Sequence, residues 1–182
     1  VWAVGALSCA GVFAVLYARA YRRLRLAVPA SDPFARLWAA AHRPRLRGLR
    51  LMECAGIGSP LTFGVLRPTI VVPVGFDWSD HPAASLVLAH ELTHVRRLDA
   101  LTKIGLAIMV SLHWFNPLAW VAYACANKDI ELSCDEAVTF PMDARGHARY
   151  ASALINAQQT RERVYIVSGF SGDFFEERIG SI

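Results

Sequence analysis

The pattern of apolar and polar positions begins with a long uncharged segment. Residues Val1–Ala18 carry no charge over 18 residues, close to the length that a helix needs to cross the hydrocarbon core of a membrane. Four arginines follow within 19–25, with Tyr17 and Tyr21 at the boundary, and such residues mark the cytoplasmic end of a membrane helix and its interface. We expect residues 1–25 to form a transmembrane helix with a basic cytoplasmic boundary; a buried core helix is the alternative.

The middle of the chain predicts a short helix followed by strands. The helix is expected within Pro29–Gly48 and the strands at Leu49–Ala55 and, as a pair, within Ser59–Pro73. Ser31 or Asp32 would cap the helix. Pro73 should end the last strand and favours an edge position in the sheet. An edge strand can bind an extended peptide by strand addition, although an ordinary hairpin covering a helix fits the pattern equally well.

The remaining segments have helical spacing. Three helices are predicted, at Ser79–Leu101, Asn127–Phe140 and Ala144–Arg163. A capping Ser or Asp with an early Pro begins the first, Pro141 stops the second, and Asp143 caps the third. The Gly-punctuated tail beyond them predicts no definite element.

The first of these helices carries the segment HELTH at residues 90–94. His90 and His94 are four residues apart, so they share one face of a helix and can bind one ion. Glu91 lies beside them, where a carboxylate can take a proton from a metal-bound water. This pattern predicts a catalytic zinc site, because such a site keeps one coordination position open for water.

Two histidines leave zinc one protein ligand short. Glu131 and Asp135 lie downstream, again four apart on one helical face. Glu131 as third ligand completes the two-His, one-Glu set of zinc proteases, and Asp135 would then orient a ligating histidine through its second ring nitrogen. Glu136 points elsewhere and is expected in solvent. An ordinary charged helix face is the alternative for this pair.

The zinc site constrains the apolar run between its ligands. Ile104–Ala126 is 23 uncharged residues long, enough for a spanning helix. A single crossing would separate His94 from Glu131 by about 30 Å of hydrocarbon, so the run must turn back. Asn116–Pro117 supplies the break, since the residue before proline resists helix. We expect 104–126 to be a membrane-associated helical hairpin with His113 at its tip.

Composition supports a membrane protein. Hydrophobic residues make up 54% and charged residues 19%, whereas soluble domains carry about 25% charged residues. Much of the net charge of +4 comes from nine arginines within 19–50; their position after an apolar run favours a membrane boundary over nucleic-acid binding. Cys9, Cys54, Cys125 and Cys134 show no disulfide-like spacing and are expected as small buried residues in a reducing compartment.

These residues resemble the membrane-bound zinc metallopeptidases of the BlaR/MecR type. The resemblance rests on six ordered stretches and covers about residues 45–182: SPLTFGVLRPTIVVP, LAHELTHVRRLDAL, LHWFNPLAW, ELSCDEAV, YASALI and ERI. It implies a gluzincin-like catalytic domain, residues 30–182, that faces the cytoplasm within a longer multi-pass protein of the bacterial inner membrane. The implied fold class is α+β and mainly helical, a membrane-anchored zincin-like metalloprotease with a small β-sheet.

The resemblance also implies the roles of the site residues and the partners. His90, His94 and Glu131 would bind one zinc ion, and Glu91 would be the general base. The expected activity is cleavage of a cytoplasmic regulatory protein, such as a transcriptional repressor, or of the chain itself, in an antibiotic-type or envelope-stress-type response. Expected partners are the lipid bilayer and the protein substrate, with a homodimer as a candidate assembly and no direct nucleic acid.

Two other hypotheses stay open at this point. In one, the protein is a non-proteolytic signal transducer whose zinc is structural, with Cys134 as the nearest fourth ligand. In the other, the arginines of residues 19–50 bind nucleic acid. Arg96, Arg97 and Asp99 follow the motif. Asp99 is a candidate for orienting a ligand, but an ion pair on a solvated helix face explains it equally well.

Overall fold

The computed structural model describes residues 1–42 and 48–159. Its helices are α1 (Trp2–Leu24), α2 (Pro33–His42), α3 (His81–Arg97), α4 (Asp99–Leu112), α5 (Pro117–Thr139) and α6 (Ala144–Gln159). Its strands are β1 (Val28–Pro29), β2 (Arg50–Cys54), β3 (Leu61–Phe63) and β4 (Thr69–Pro73). The predicted class, α+β and mainly helical with a small sheet, is confirmed.

The four described strands form one sheet in the order β1-β2-β4-β3. β2 and β4 are parallel, with Leu51 opposite Ile70, and the two outer pairs are antiparallel. The prediction that Pro73 marks an edge strand is wrong, because β4 lies between β2 and β3. Pro73 is the last residue of β4, where a missing N–H costs the ladder little. The edge strand beside the helices is β3.

Helices α2 and α3 cover one face of this sheet. Ile70 and Val72 alternate onto that face and are fully buried against Leu88 and Leu92 of α3, as the period of two in a strand requires. Asp32 caps α2 as expected: its Oδ1 accepts from the backbone N–H of Phe34 at 2.8 Å. The core therefore fixes α3 against the sheet, and α3 is the helix that carries HELTH.

The predicted helix over Ser79–Leu101 is divided in two at Leu98. Asp80 caps its start, accepting from the Ala83 N–H at 3.0 Å, and Pro82 lies in the first turn. Leu98 has φ 57° and ψ 35°, a left-handed conformation that costs a leucine about 1–2 kcal/mol. No glycine or proline lies at this position to indicate the break in the sequence. It redirects the chain so that α4 begins at Asp99.

The hairpin predicted within 104–126 forms, with its break where expected. α4 ends at Leu112, His113 follows in the exposed turn, and Asn116 caps α5 by accepting from the Leu118 N–H at 3.0 Å. The separate helix predicted at Asn127–Phe140 is wrong in its start, because α5 continues unbroken from Pro117 to Thr139. The change from apolar to polar residues near 127 alters the surroundings of the helix, not its backbone.

Helix α6 starts as predicted. Asp143 accepts from the Gly146 N–H at 2.8 Å at the start of the helix. The predicted end at Arg163 lies outside the described residues.

Among the four cysteines, Cys54 and Cys134 are buried and Cys9 is partly buried, but Cys125 is exposed. The prediction of burial is wrong for Cys125, because the apolar first part of α5, on which it lies, is mostly exposed.

Helix α1 is long and apolar enough to cross a membrane, and little of it is covered by the rest of the chain. Its first turn is joined to the turn of the α4–α5 hairpin: the Trp2 indole donates to the Leu112 carbonyl at 3.1 Å, and the Trp114 indole donates to the Trp2 carbonyl at 3.3 Å. Gly5 lets the Trp114 ring approach, since a Cβ there would lie 2.2 Å from it. The hairpin thus extends along α1 to its amino-terminal end.

The other end of α1 contacts the edge strand. Tyr17 and Tyr21 lie one helical turn apart, and their ring centroids are 5.3 and 5.8 Å from that of Phe63 in β3. Because side chains alternate along a strand, Thr62 points to the opposite face from Phe63. Strand β3 is therefore held between α1 on one face and α3 on the other.

Candidate metal centre

Helix α3 brings together the three polar side chains predicted from HELTH. His90, Glu91 and His94 are all buried, with 4%, 7% and 9% of their surface exposed. The Nε2 atoms of the two histidines lie 3.1 Å apart, with the rings nearly perpendicular. Burying two imidazoles with their Nε2 atoms directed at each other is costly unless both have a common polar partner.

Glu131 of α5 completes the cluster. Its Oε2 lies 3.7 Å from Nε2 of His90 and 3.7 Å from Nε2 of His94. The centre of a triangle with these sides is about 2 Å from each corner, which is the length of a zinc bond to nitrogen or a carboxylate oxygen. The donor set therefore fits zinc. Glu131 remains 31% exposed at its side chain, so solvent reaches the cluster from its side.

His94 is held from behind by Asp99. The distance from His94 Nδ1 to Asp99 Oδ2 is 2.7 Å, and Asp99 is 4% exposed. The interpretation of Asp99 as a solvated ion pair is therefore wrong: its Oδ1 does lie 3.7 Å from Arg97, but its other oxygen is buried on the histidine. The left-handed residue Leu98 turns Asp99 back toward α3, and the uninterrupted helix expected from the sequence would not do so.

His90 is held by a carboxylate and a phenol. Asp135 Oδ1 lies 3.1 Å from His90 Nδ1, as the sequence predicted for this residue. The Tyr150 hydroxyl donates to the same Asp135 oxygen at 2.7 Å and lies 2.9 Å from His90 Nδ1. Tyr150 is completely buried and was not predicted. The available signal was a tyrosine at a buried spacing on the amphipathic helix α6, since a buried hydroxyl needs a partner.

Glu91 is held by Thr62 of the edge strand. The Thr62 hydroxyl lies 2.8 Å from Glu91 Oε2 and 3.0 Å from the Glu91 backbone carbonyl. This contact was also missed. The signal for it was a hydroxyl at the middle of the apolar segment Leu61–Phe63, on the opposite face from its two neighbours. Thr62 fixes one carboxylate oxygen of Glu91.

Charges in the cluster shift two pKa values in opposite directions. Burial alone would lower the pKa of His90, but hydrogen bonds to Asp135 and Glu131 outweigh it and raise that pKa to about 9. Burial alone would raise the pKa of Glu131, yet its bonds to His90 and His94 and the charge of Lys103 hold it well below the ordinary value. These shifts favour a protonated His90 beside a deprotonated Glu131.

Cys134 lies in the same region but on the far side of His94. Its Sγ is 3.3 Å from His94 Nδ1 and 3.3 Å from Asp99 Oδ2, whereas the Nε2 atom of His94 faces the cluster of ligands. Burial and the neighbouring Asp99 raise the pKa of the Cys134 thiol, which favours the neutral form. The structure thus places Cys134 beside Asp99, not beside Nε2 of His94.

Glu136 is exposed, as expected.

Fold and site together define a class: a mainly helical α+β domain whose HELTH helix and a downstream glutamate form a two-His, one-Glu cluster of the kind that zinc peptidases use. The comparison with protein families agrees. The model of the family described as BlaR1 peptidase M56 matches residues 1–178, and the chain belongs to this family. The predicted BlaR/MecR-type resemblance is confirmed.

Curated relatives match part of the chain. The regulatory protein BlaR1 of Bacillus licheniformis is 36% identical over 107 residues, which are 59% of this chain and 18% of that protein. The methicillin resistance mecR1 proteins of Staphylococcus aureus and Staphylococcus epidermidis are each 26% identical over 102 residues, 56% of this chain and 17% of theirs. The matched segments are thus less than a fifth of the relatives' length.

Proposed function

We propose that this chain is the catalytic part of a membrane-embedded zinc endopeptidase. The observation that carries the proposal is the triangle of His90, His94 and Glu131 ligand atoms, whose centre is at zinc-bond distance from all three, with Glu91 on the same helix. Bound there, zinc would polarise the peptide carbonyl and lower the pKa of an attacking water. Membership of a peptidase family supports the same chemistry.

In this proposal each polar neighbour has a defined task. Glu91 takes the proton of the attacking water and later delivers it to the leaving amine. Thr62 holds Oε2 of that carboxylate, so Oε1 is the oxygen to which we assign the proton transfer. Asp99 and Asp135 would keep the ligating histidines in the correct tautomer, because each accepts a hydrogen bond from a histidine Nδ1–H and so leaves Nε2 unprotonated and free to bind metal.

The edge strand offers a place for the substrate. β3 lies at one of the two edges of the sheet that the described strands form, and its Thr62 touches Glu91. An extended peptide that added to β3 would gain main-chain hydrogen bonds and pass beside the general base. We therefore assign peptide binding to β3, in place of the strand ending at Pro73. A flexible segment of a cytoplasmic regulatory protein, such as a transcriptional repressor, or a segment of the chain itself would fit such a site.

We further propose a setting in the bacterial inner membrane. α1 would cross the bilayer with its arginines on the cytoplasmic side, which places the metal cluster at that side as well. The α4–α5 hairpin reaches the level of Trp2, about 30 Å from the arginines by the length of α1, so it would be inserted deeply alongside α1. The apolar residues on its outer surface, among them Ile108, Leu118 and Val121, are exposed and would contact lipid.

The test uses the full chain in detergent and three glutamate variants. Glu91→Gln keeps an oxygen that accepts from Thr62, so the fold and zinc content should persist while hydrolysis of β-casein or of the chain itself stops. Glu136→Gln makes the same chemical change at an exposed position and should retain activity. Undiminished cleavage by Glu91→Gln would contradict the proposal, as would equal zinc retention in the wild type and Glu131→Ala.

The alternative of a non-proteolytic transducer with a structural zinc gains no specific support. A closed structural site needs a fourth protein ligand. Cys134, the residue suggested for that role, lies at Nδ1 of His94 and on Asp99, away from the Nε2 atoms. A Cys134→Ser variant that lost its zinc would revive this alternative.

A further inference from the structure

The two carboxylate oxygens of Glu131 have different neighbours. Oε2 lies 3.7 Å from the Nε2 atoms of His90 and His94, whereas Oε1 lies 3.1 Å from Nζ of Lys103. The Lys103 side chain is 43% exposed and that of Glu131 is 31% exposed, so this ion pair is at the rim of the cluster. One oxygen of the ligand thus faces the metal position and the other is bound to an ammonium group.

Lys103 comes from the same helix face as Asp99. The two residues are four apart on α4, so they point in the same direction. Asp99 reaches His94 of α3, and Lys103 reaches Glu131 of α5. Helix α4 carries no ligand of the cluster itself, yet it contacts a ligand on each of the two neighbouring helices.

The way in which Glu131 binds metal matters for catalysis. A carboxylate can bind through one oxygen or through both, and a catalytic zinc has three protein ligands with one position left for water. If Glu131 bound through both oxygens, its second oxygen would be a fifth ligand beside the water and would crowd the place where the peptide carbonyl has to approach. An ammonium group on Oε1 opposes this, because turning Oε1 toward the ion would break a charge-assisted hydrogen bond and bring two cations together.

We propose that Lys103 is a positioning residue that holds Glu131 in single-oxygen coordination and so keeps the metal four-coordinate, with the water as its fourth ligand. The inference rests on the proposed zinc site and adds to it a residue that touches neither metal nor substrate. It assigns α4 a function in the site, through Asp99 for a histidine and Lys103 for the glutamate.

Cobalt(II) tests the proposal by absorption spectroscopy, because the visible d–d bands of four-coordinate cobalt are several-fold more intense than those of five-coordinate cobalt. The full chain in detergent is loaded with Co²⁺ as wild type, Lys103→Met, Lys103→Arg and Arg145→Met. Met keeps the length of the side chain without its charge, and Arg restores the charge. Arg145 is an exposed cation on α6 and serves as the control.

We expect an intense four-coordinate spectrum for the wild type, Arg145→Met and Lys103→Arg. Lys103→Met should bind one Co²⁺ with a band several-fold weaker, and its kcat with zinc should fall more than its KM changes. A Lys103→Met spectrum equal to that of the wild type, or loss of intensity in Lys103→Met and Lys103→Arg alike, would overturn the inference. A wild type that binds no Co²⁺ would overturn the metal site itself, and the inference with it.

Discussion

The buried contact between Asp99 and His94 makes the sharpest prediction about zinc affinity. The change is Asp99→Asn, which preserves the size of the side chain and one acceptor oxygen for the Nδ1–H of His94. It removes the negative charge at a distance of 2.7 Å, where both partners are almost inaccessible to solvent. The backbone and the ligand atoms themselves are unchanged.

The size of the effect follows from the kind of hydrogen bond that is weakened. A bond to a charged group contributes about 1.5–3 kcal/mol and a neutral one about 0.5–1.5 kcal/mol, so the change costs about 1–2 kcal/mol. Since about 1.4 kcal/mol is a factor of ten in affinity, zinc should bind about 10-fold more weakly. The contact of Asp99 with the half-exposed Arg97 adds little, because exposed ion pairs are weak.

The assay is competition for zinc between the detergent-solubilised chain and a chromophoric chelator at fixed pH. Asp129→Asn is the matched control, since Asp129 is an exposed aspartate on α5 and should keep wild-type affinity. The melting temperatures of the metal-free variants separate a loss of fold from a loss of metal. If Asp99→Asn held zinc as tightly as the wild type, the orienting role of Asp99 would be refuted.

Three further results are expected. Thr62→Val should leave the zinc content unchanged and lower kcat on casein about 10-fold, because Glu91 loses a charge-assisted hydrogen bond. A zinc content that fell as much as kcat would instead point to misfolding. The His90 pKa of about 9 lies above its ordinary value of 6.5, so protonated His90 stabilises the metal-free protein by at most about 3 kcal/mol below pH 6.5. That stabilisation is lost as the pH rises to 9. The melting temperature of EDTA-treated protein should therefore fall between pH 6.5 and 9, and it should fall less in His90→Gln. Gly5→Val should lower the melting temperature by several degrees, because the new side chain would clash with the Trp114 indole in the hairpin turn. Gly11→Val, whose side chain meets open space, should not lower it. Equal melting temperatures for the two variants would contradict the contact between Gly5 and Trp114.

The sequence was sufficient to predict which residues at helical spacing lie together in the candidate site. His90 with His94, and Glu131 with Asp135, are each four residues apart, and a period of 3.6 converts that spacing directly into a shared face. The hairpin between them followed from a distance argument: two ligands of one ion cannot lie on opposite sides of a membrane. Its break at Asn116–Pro117 had a local chemical cause that can be recognised in the sequence.

Contacts that depend on tertiary structure could not be predicted in this way. Thr62 and Tyr150 come from a strand and a helix far away in the chain, and nothing in their spacing relates them to HELTH. Asp99 is close in sequence but depends on the left-handed Leu98, a residue type that rarely adopts this conformation. The position of β4 inside the sheet was missed because a terminal proline permits an interior strand as well as an edge.

The packing of α1 on β3 has a mechanical consequence. Tyr17 and Tyr21 occupy one face of α1, so a rotation of that helix about its axis would remove both rings from Phe63 together. The neighbouring residue, Thr62, holds the carboxylate of Glu91. A twist of α1 would therefore reach Glu91, the proposed general base, through two adjacent residues of one three-residue strand, and the same movement would shift the edge to which we assign the peptide.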